Sequence, residues 1–324
     1  MSSLQTNERL AVFSALRFLE EVEDEFSAVF DVVFEKTGDP AGWIADSGRD
    51  FDVVLVSLGA SLGSEAIATL PPRVRAIATY SVGMDHIDLE AAAERGIAVF
   101  NTPSVLADSV AENALFLMLG AARRASESID LIRSGSWPGW NPTQLVGVEL
   151  AGRRLGILGL GDIGLRIATR ARAFGMEILY CNRNRLADDQ WRGFSYRATP
   201  AELIAEVDVL MIACPSTPAT RGMIDAALLD RARPGLILVN IARGDIVDDA
   251  ALIAALRDGR VWAAGLDVFA GEPRIEAAYF ELPNVFMLPH QGSSTIEARL
   301  RMGRILIEAL SSWQRGEGAA NRVC

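Results

Sequence analysis

The sequence predicts an α/β protein made of two parallel-sheet domains, each sheet carrying helices on both faces. Its 324 residues suggest two domains by size, and half of them are apolar, ample for two large cores. Short apolar runs alternate with stretches of helical periodicity along most of the chain, the pattern of parallel strands joined by helical crossovers. In the middle lies a glycine-punctuated strand–turn–helix unit, residues 154–185, around which the rest is organised.

In the first hundred residues, strands are expected at Leu10–Phe13, Val29–Phe34, Val53–Ser57, Arg75–Tyr80 and Ile97–Phe100. Helical patches separate them, Asp88–Arg95 being a short one closed by Gly96. A long helical pattern follows over Ser104–Arg133, of the kind that bridges domains or lies in a subunit contact. Ser134–Gln144 reads as a loop, punctuated by Gly, Pro and Asn and carrying Trp137 and Trp140.

The central unit opens with an apolar strand, Leu155–Leu158, and turns through Gly159, Gly161 and Gly164. In this G-x-G-x-x-G the first glycine permits a tight turn, the second lets a pyrophosphate approach the backbone, and the third lets helix pack closely on strand. From Ile163 to Phe174 the apolar spacing is helical, so a helix N-terminus with open N–H groups faces any phosphate. A second strand, Met176–Tyr180, ends in Cys181-Asn182-Arg183-Asn184-Arg185. An acid there would accept from a ribose 2′-OH, whereas arginine suits a 2′-phosphate. No acid is present, so NADP(H) is the expected cofactor, with NAD(H) use possible.

Further strands are expected at Val207–Ala213, Leu236–Ile241, Ala263–Val268 and Val285–Leu288, with helices at Ala201–Glu206, Asp225–Ala232 and Asp249–Asp258. A last helix spans Ser294–Trp313.

Composition excludes several classes. The net charge of -11 argues against general nucleic-acid binding. Lys36 is the only lysine, which removes the P-loop and leaves Schiff-base chemistry a single candidate in an ordinary-looking loop. No apolar run is long enough to span a membrane, and the opening MSSLQTNERL lacks the basic start and apolar core of a secretory signal. Cys181, Cys214 and Cys324 have neither metal spacing nor an even count for bridges, so no metal is expected and a reducing cytoplasm fits best.

Three clusters at predicted strand ends could do chemistry, since open parallel sheets bind ligands at that edge. Arg243 follows the strand ending at Ile241 and can aim a guanidinium fork. Asp267 closes a strand, with Glu272 in the turn beyond it. His290 stands between a strand and a helix, and Glu272 is the carboxylate that would orient it. The other histidine, His86, is expected to be structural or to line the cleft.

These motifs resemble the D-2-hydroxyacid dehydrogenase family, in its glyoxylate/hydroxypyruvate reductase branch. TYSVGMDHID, NTPSVLADSVAEN, GLGDIG, CPSTPAT, NIARGDIVDDAALIAAL, AAGLDVFAGEP and LPHQGSST occur in family order. The resemblance implies two Rossmann-like doubly wound domains with a cleft between them: a flavodoxin-like substrate domain, residues 1–103 with 291–324, and a cofactor domain, residues 104–290. It implies a triad in which His290 donates a proton to the substrate carbonyl, Glu272 keeps His290 charged and oriented, and Arg243 holds the 2-keto acid. Leu58, Gly59 and the Val82 and Gly83 amides would line the substrate site. Gly159, Leu160, Gly161, Asp162, Ile163, Gly164, Asn182, Arg183, Arg185, Cys214, Pro215, Thr220, Ile241, Arg243, Asp267, His290 and Gly292 would contact the cofactor, Asp267 at the nicotinamide carboxamide. It also implies a homodimer whose tryptophan loop brings Trp140 toward the partner's active site.

Two departures stand out against the family. Asn182 occupies the place of the acid after the second strand, and Leu58-Gly59 replaces bulkier or polar residues, which would admit longer 2-keto acids such as 2-ketogluconate unless Leu58 narrows the site. The leading expectation is an NADPH-dependent reductase of glyoxylate, hydroxypyruvate and 2-ketogluconate. A nucleotide-sensing binding protein like the C-terminal-binding co-repressors shares the fold and triad. Formate and phosphite dehydrogenases share the fold too, but the formate enzymes carry glutamine where Glu272 stands.

Overall fold

The computed structural model describes residues 9–187 and 193–324, so up to residue 8 the segment read for a secretory signal lies outside the described residues. The chain divides into two compact units, Met1–Leu106 with Ser293–Cys324, and Ala107–Gly292.

The first unit begins β1 (Ala11–Ser14), α1 (Glu20–Val29), β2 (Asp31–Phe34), α2 (Pro40–Ser47), β3 (Val53–Val56), α3 (Ser64–Thr69), β4 (Ala76–Thr79), α4 (Leu89–Glu94), β5 (Ala98–Phe100). Its sheet runs β2-β1-β3-β4-β5, all pairs parallel. Residues of β3 and β4 are buried throughout, as expected of central strands covered on both faces. Caps set the helix starts: Asp39 accepts from Gly42 N–H ahead of Pro40, and Asp88 accepts from Ala91 N–H.

The second unit holds α5 (Ala107–Ala122), α6 (Ala125–Arg133), β6 (Arg154–Leu158), α7 (Asp162–Ala173), β7 (Glu177–Cys181), β8 (Phe194–Arg197), α8 (Pro200–Ile204), β9 (Val209–Ile212), α9 (Ala226–Leu229), β10 (Leu236–Asn240), α10 (Asp249–Arg257), β11 (Val261–Leu266) and β12 (Val285–Met287). Its sheet order is β12-β11-β10-β9-β6-β7-β8, parallel throughout. The order reverses between β6 and β9, which makes the loops after those strands the switch point where such sheets take ligands. The chain then returns to the first unit with α11 (Ile296–Gln314), which packs on α1 where Gly303 meets Val22.

One expectation is corrected, and one strand is added. The helix expected over Ser104–Arg133 is two helices, broken where Arg124 adopts φ 56, ψ 48. Val148 N–H donates to Ala122 O at 2.9 Å, taking a carbonyl that a continuing helix would use, and Gly147 lets that segment approach the helix backbone. Arg124 is then held by a two-pronged pair with Glu127, 2.6 and 2.7 Å. The short edge strand β8 was not expected from the sequence.

The compact units meet at Leu106/Ala107 and at Gly292/Ser293. Side chains tie residues 291 and 292 to the second unit: Asp267 accepts from the N–H groups of Gln291 and Gly292, both at 2.9 Å, and Ser109 Oγ donates to Gly292 O at 2.7 Å. Among the described residues, no helix is long and apolar enough to cross a membrane.

Candidate active site

The glycine turn lies at the switch point. A Cβ on Gly159, which has φ 96, would fall 2.6 Å from Cys214 N, so the loops after β6 and β9 touch backbone to backbone. A Cβ on Gly164 would fall 2.4 Å from Gly159 O, which is how α7 packs so close to its strand. Gly161, the residue before α7, has open space where a side chain would be. A pyrophosphate can therefore reach the amides at the start of this twelve-residue helix, and the residues present fit a dinucleotide.

Asn182 completes the turn. Its Oδ1 accepts from Leu160 N–H at 2.6 Å and its Nδ2 donates to Leu160 O at 3.3 Å. Arg183 is exposed and makes no hydrogen bond or ion pair among the described residues. The Arg185 guanidinium sits over the Tyr196 ring on β8, 5.9 Å from its centroid. Thr220 uses its hydroxyl on its own turn, donating to Pro215 O and accepting from Thr217 N–H, both at 2.8 Å. Burial pushes the Cys214 thiol up to about 11, so it stays protonated near neutrality. Asp162 opens α7 and pairs with Arg166 at 3.0 Å, Leu160 and Ile241 are buried, and Ile163 is half-buried.

Three residues from the ends of β10, β11 and β12 come together. His290 Nδ1 lies 2.7 Å from Glu272 Oε2, and Glu272 Oε1 accepts from Phe269 N–H at 2.8 Å. A carboxylate only accepts, so Nδ1 carries the hydrogen and Nε2 takes no part in that bond. Burial raises the Glu272 carboxyl, but the His290 bond, the Phe269 amide and the Arg243 charge outweigh it and hold it below the usual range. His290 has φ 51, a left-handed backbone uncommon outside glycine, and its N–H donates to Asp267 O at 2.8 Å. Burial pushes the Asp267 carboxyl up despite the Gln291 and Gly292 amides it accepts from.

Two residues that sequence reasoning missed make this meeting possible. A Cβ on Gly244 would fall 1.9 Å from Phe269 C, so only glycine lets the Arg243 segment lie on the loop carrying Glu272. Asn240 shapes the turn before it, accepting from Ala242 N–H at 3.0 Å and donating to Arg243 O at 2.9 Å. An asparagine closing a strand is a recognised turn signal, so this one was available in the sequence.

In the first unit, Leu58 and Gly59 follow β3, and Val82 and Gly83 follow the adjacent β4. His86 is buried, and its Nε2 shares a hydrogen with Thr79 Oγ1 at 2.8 Å. Trp140 is 83% exposed, while Trp137 donates to Gln144 Oε1 at 3.2 Å. Among the described residues, no group of three or more His, Cys, Asp or Glu could hold a metal ion.

Comparison with known proteins accounts for this arrangement. Residues 115–292 match the model described as D-isomer specific 2-hydroxyacid dehydrogenase, NAD binding domain. The chain is 42% identical to glycerate dehydrogenase of Hyphomicrobium methylovorum over 272 residues, 82% of this chain and 84% of the relative. It is 40% identical to glyoxylate reductase of Pyrococcus furiosus over 301 residues, 91% and 88% of the two chains. Among solved structures, it superposes on the NADPH-dependent glyoxylate/hydroxypyruvate reductase of Sinorhizobium meliloti, solved with NADP and malonate, with TM-score 0.88 and 33% identity over 98% of this chain and 97% of that one. The chain therefore belongs to the D-isomer specific 2-hydroxyacid dehydrogenase family, and it is an NAD(P)-binding oxidoreductase of that family.

Proposed function

We propose that the protein reduces small 2-keto acids, glyoxylate and hydroxypyruvate first and 2-ketogluconate as a longer substrate, to D-2-hydroxy acids with NADPH. The observation that carries this reading is the 2.7 Å pair of His290 and Glu272, set beside the Arg243 turn. The bound cofactor supplies the hydride. His290 gives the carbonyl oxygen its proton from Nε2, and Glu272 holds the ring through Nδ1. Arg243 grips the carboxylate and carbonyl oxygens of the substrate and fixes the carbonyl carbon in place. The Val82 and Gly83 amides receive the carboxylate, and Leu58 with Gly59 sets how long a substrate fits.

Arg183 takes the 2′-phosphate in this reading, with Arg185 behind it. Asp267 binds the nicotinamide carboxamide, Cys214 and Pro215 line the adenosine side, and Thr220 shapes their loop. The relatives named glyoxylate reductase support the substrate class, and the NADP-bound neighbour supports the cofactor.

A homodimer is part of the proposal. Helix α6 buries none of its residues within the chain, and Phe116, Ile129, Ile132, Trp137, Trp140 and Val146 are exposed on α5, α6 and the segment after them. Sedimentation at micromolar concentration tests it, and a monomer there rejects it.

Addition of glyoxylate to enzyme and NADPH should consume the NADPH absorbance. Absence of turnover with every small 2-keto acid tried rejects the reductase reading. Capture of a peptide with negligible reduction would favour the co-repressor-like alternative instead.

A further inference from the structure

The loop after β4 is held by its carbonyls. Thr102 N–H donates to Ser81 O at 3.0 Å, and Asn101 Nδ2 donates to Val82 O at 3.1 Å. Both peptides are trans, and in a planar trans peptide the N–H points opposite to the C=O. Pinning the Ser81 carbonyl therefore turns the Val82 N–H to the other side, and pinning the Val82 carbonyl does the same for the Gly83 N–H. A third tie steadies the loop: Ser81 Oγ donates to Gly83 O at 2.6 Å, backed by the buried Thr79 hydroxyl at 2.8 Å.

Asn101 is itself clamped. Its carbonyl accepts from Asn321 Nδ2 at 2.7 Å and its N–H donates to Asn321 O at 3.3 Å. Both asparagines are buried, where an amide donor without a partner would be costly and the bonds made fix the geometry. The segment holding Asn321 runs antiparallel beside β5, with Val323 N–H donating to Val99 O at 2.8 Å.

We propose that Asn101, locked by Asn321, is the positioning residue that aims the Val82 and Gly83 amides at a carboxylate and thereby sets affinity for the 2-keto acid. This rests on the reading of those amides as the carboxylate cradle. Two successive N–H groups turned away from tied-back carbonyls can bind an anion without a side-chain cation. An Asn101 side chain without its donor lets the Val82–Gly83 peptide rotate, and the second amide is lost.

The test is steady-state kinetics with glyoxylate on the full chain carrying Asn101→Leu or Asn321→Ala. Asn101→Leu should raise KM for glyoxylate about tenfold, the scale of one lost hydrogen bond to a charged group. Asn321→Ala should raise it less, while KM for NADPH and the pH profile of kcat stay put in both. Should Asn101→Leu fail to fold, Asn321→Ala carries the test alone. An unchanged glyoxylate KM, or glyoxylate and NADPH KM rising together, overturns the assignment. Gly83→Pro, which deletes the second N–H outright, separates the two ideas. If it leaves glyoxylate KM alone, the cradle falls and the inference with it; if it raises KM and Asn101→Leu does not, the inference falls by itself.

Discussion

The Asn182 side chain brackets the Leu160 backbone, accepting from its N–H at 2.6 Å and donating to its carbonyl at 3.3 Å. The residue that follows β7 thus braces the glycine turn. Asn182→Asp would keep the acceptor, lose the donor and add a negative charge beside Arg183. We expect KM for NADPH to rise about tenfold, about 1.4 kcal/mol, with KM for NADH equal or lower. Initial rates with both cofactors check this.

Arg183 and Arg185 should separate cleanly. Arg183 is exposed with no ion pair among the described residues, whereas Arg185 lies on the Tyr196 ring. Arg183→Ala should weaken NADPH by roughly ten- to a hundredfold, the range of a charged hydrogen bond, and spare NADH. Equal losses for the two cofactors would remove the phosphate role.

Glu272 gives a pH test with a definite sign. Its folded-state carboxyl lies below the ordinary 4.5, so its pairing stabilises the fold fully above that pH and is lost as pH falls through the lowered value. The melting-temperature gap between wild type and Glu272→Gln should be constant near neutrality and close under acid conditions. At neutral pH the same variant should lose about a hundredfold in kcat, the lower range for general acid–base catalysis, with its acid limb displaced and NADPH KM unchanged. An unmoved profile would take Glu272 out of the chemistry.

Gly244→Ala tests the backbone contact that joins the Arg243 turn to the Glu272 loop. Its Cβ would stand 1.9 Å from Phe269 C, so one loop must move. A cost of about 1–3 kcal/mol in stability is expected, together with a fall in kcat that Arg243 variants reproduce. Thermal melts and kinetics on the same preparation decide it.

What the sequence made legible was whatever depends on local sterics. The three glycines from the end of β6 into the first turn of α7 announce themselves because each answers a requirement within a few residues. The positions of Arg243 and His290 past apolar strands could likewise be read directly. The break at Arg124 could not, because its cause is a hydrogen bond from Val148, distant in sequence. Strand β8 is a four-residue edge with every residue only half-buried, which leaves it little apolar signal. The bracing by Asn182 and the stacking of Arg185 on Tyr196 depend on neighbouring strands, so residue type alone suggested ligand contacts for both.

The left-handed backbone at His290 restricts which amino acids can occupy that position without distorting the main chain. Asparagine tolerates this conformation better than most residues and has no ionisable ring, so His290→Asn removes the imidazole while sparing the loop. Alanine or a β-branched residue would remove the ring and strain the chain at once. A loss of rate in those variants would blend two causes, and the asparagine variant is the one whose deficit reports proton transfer.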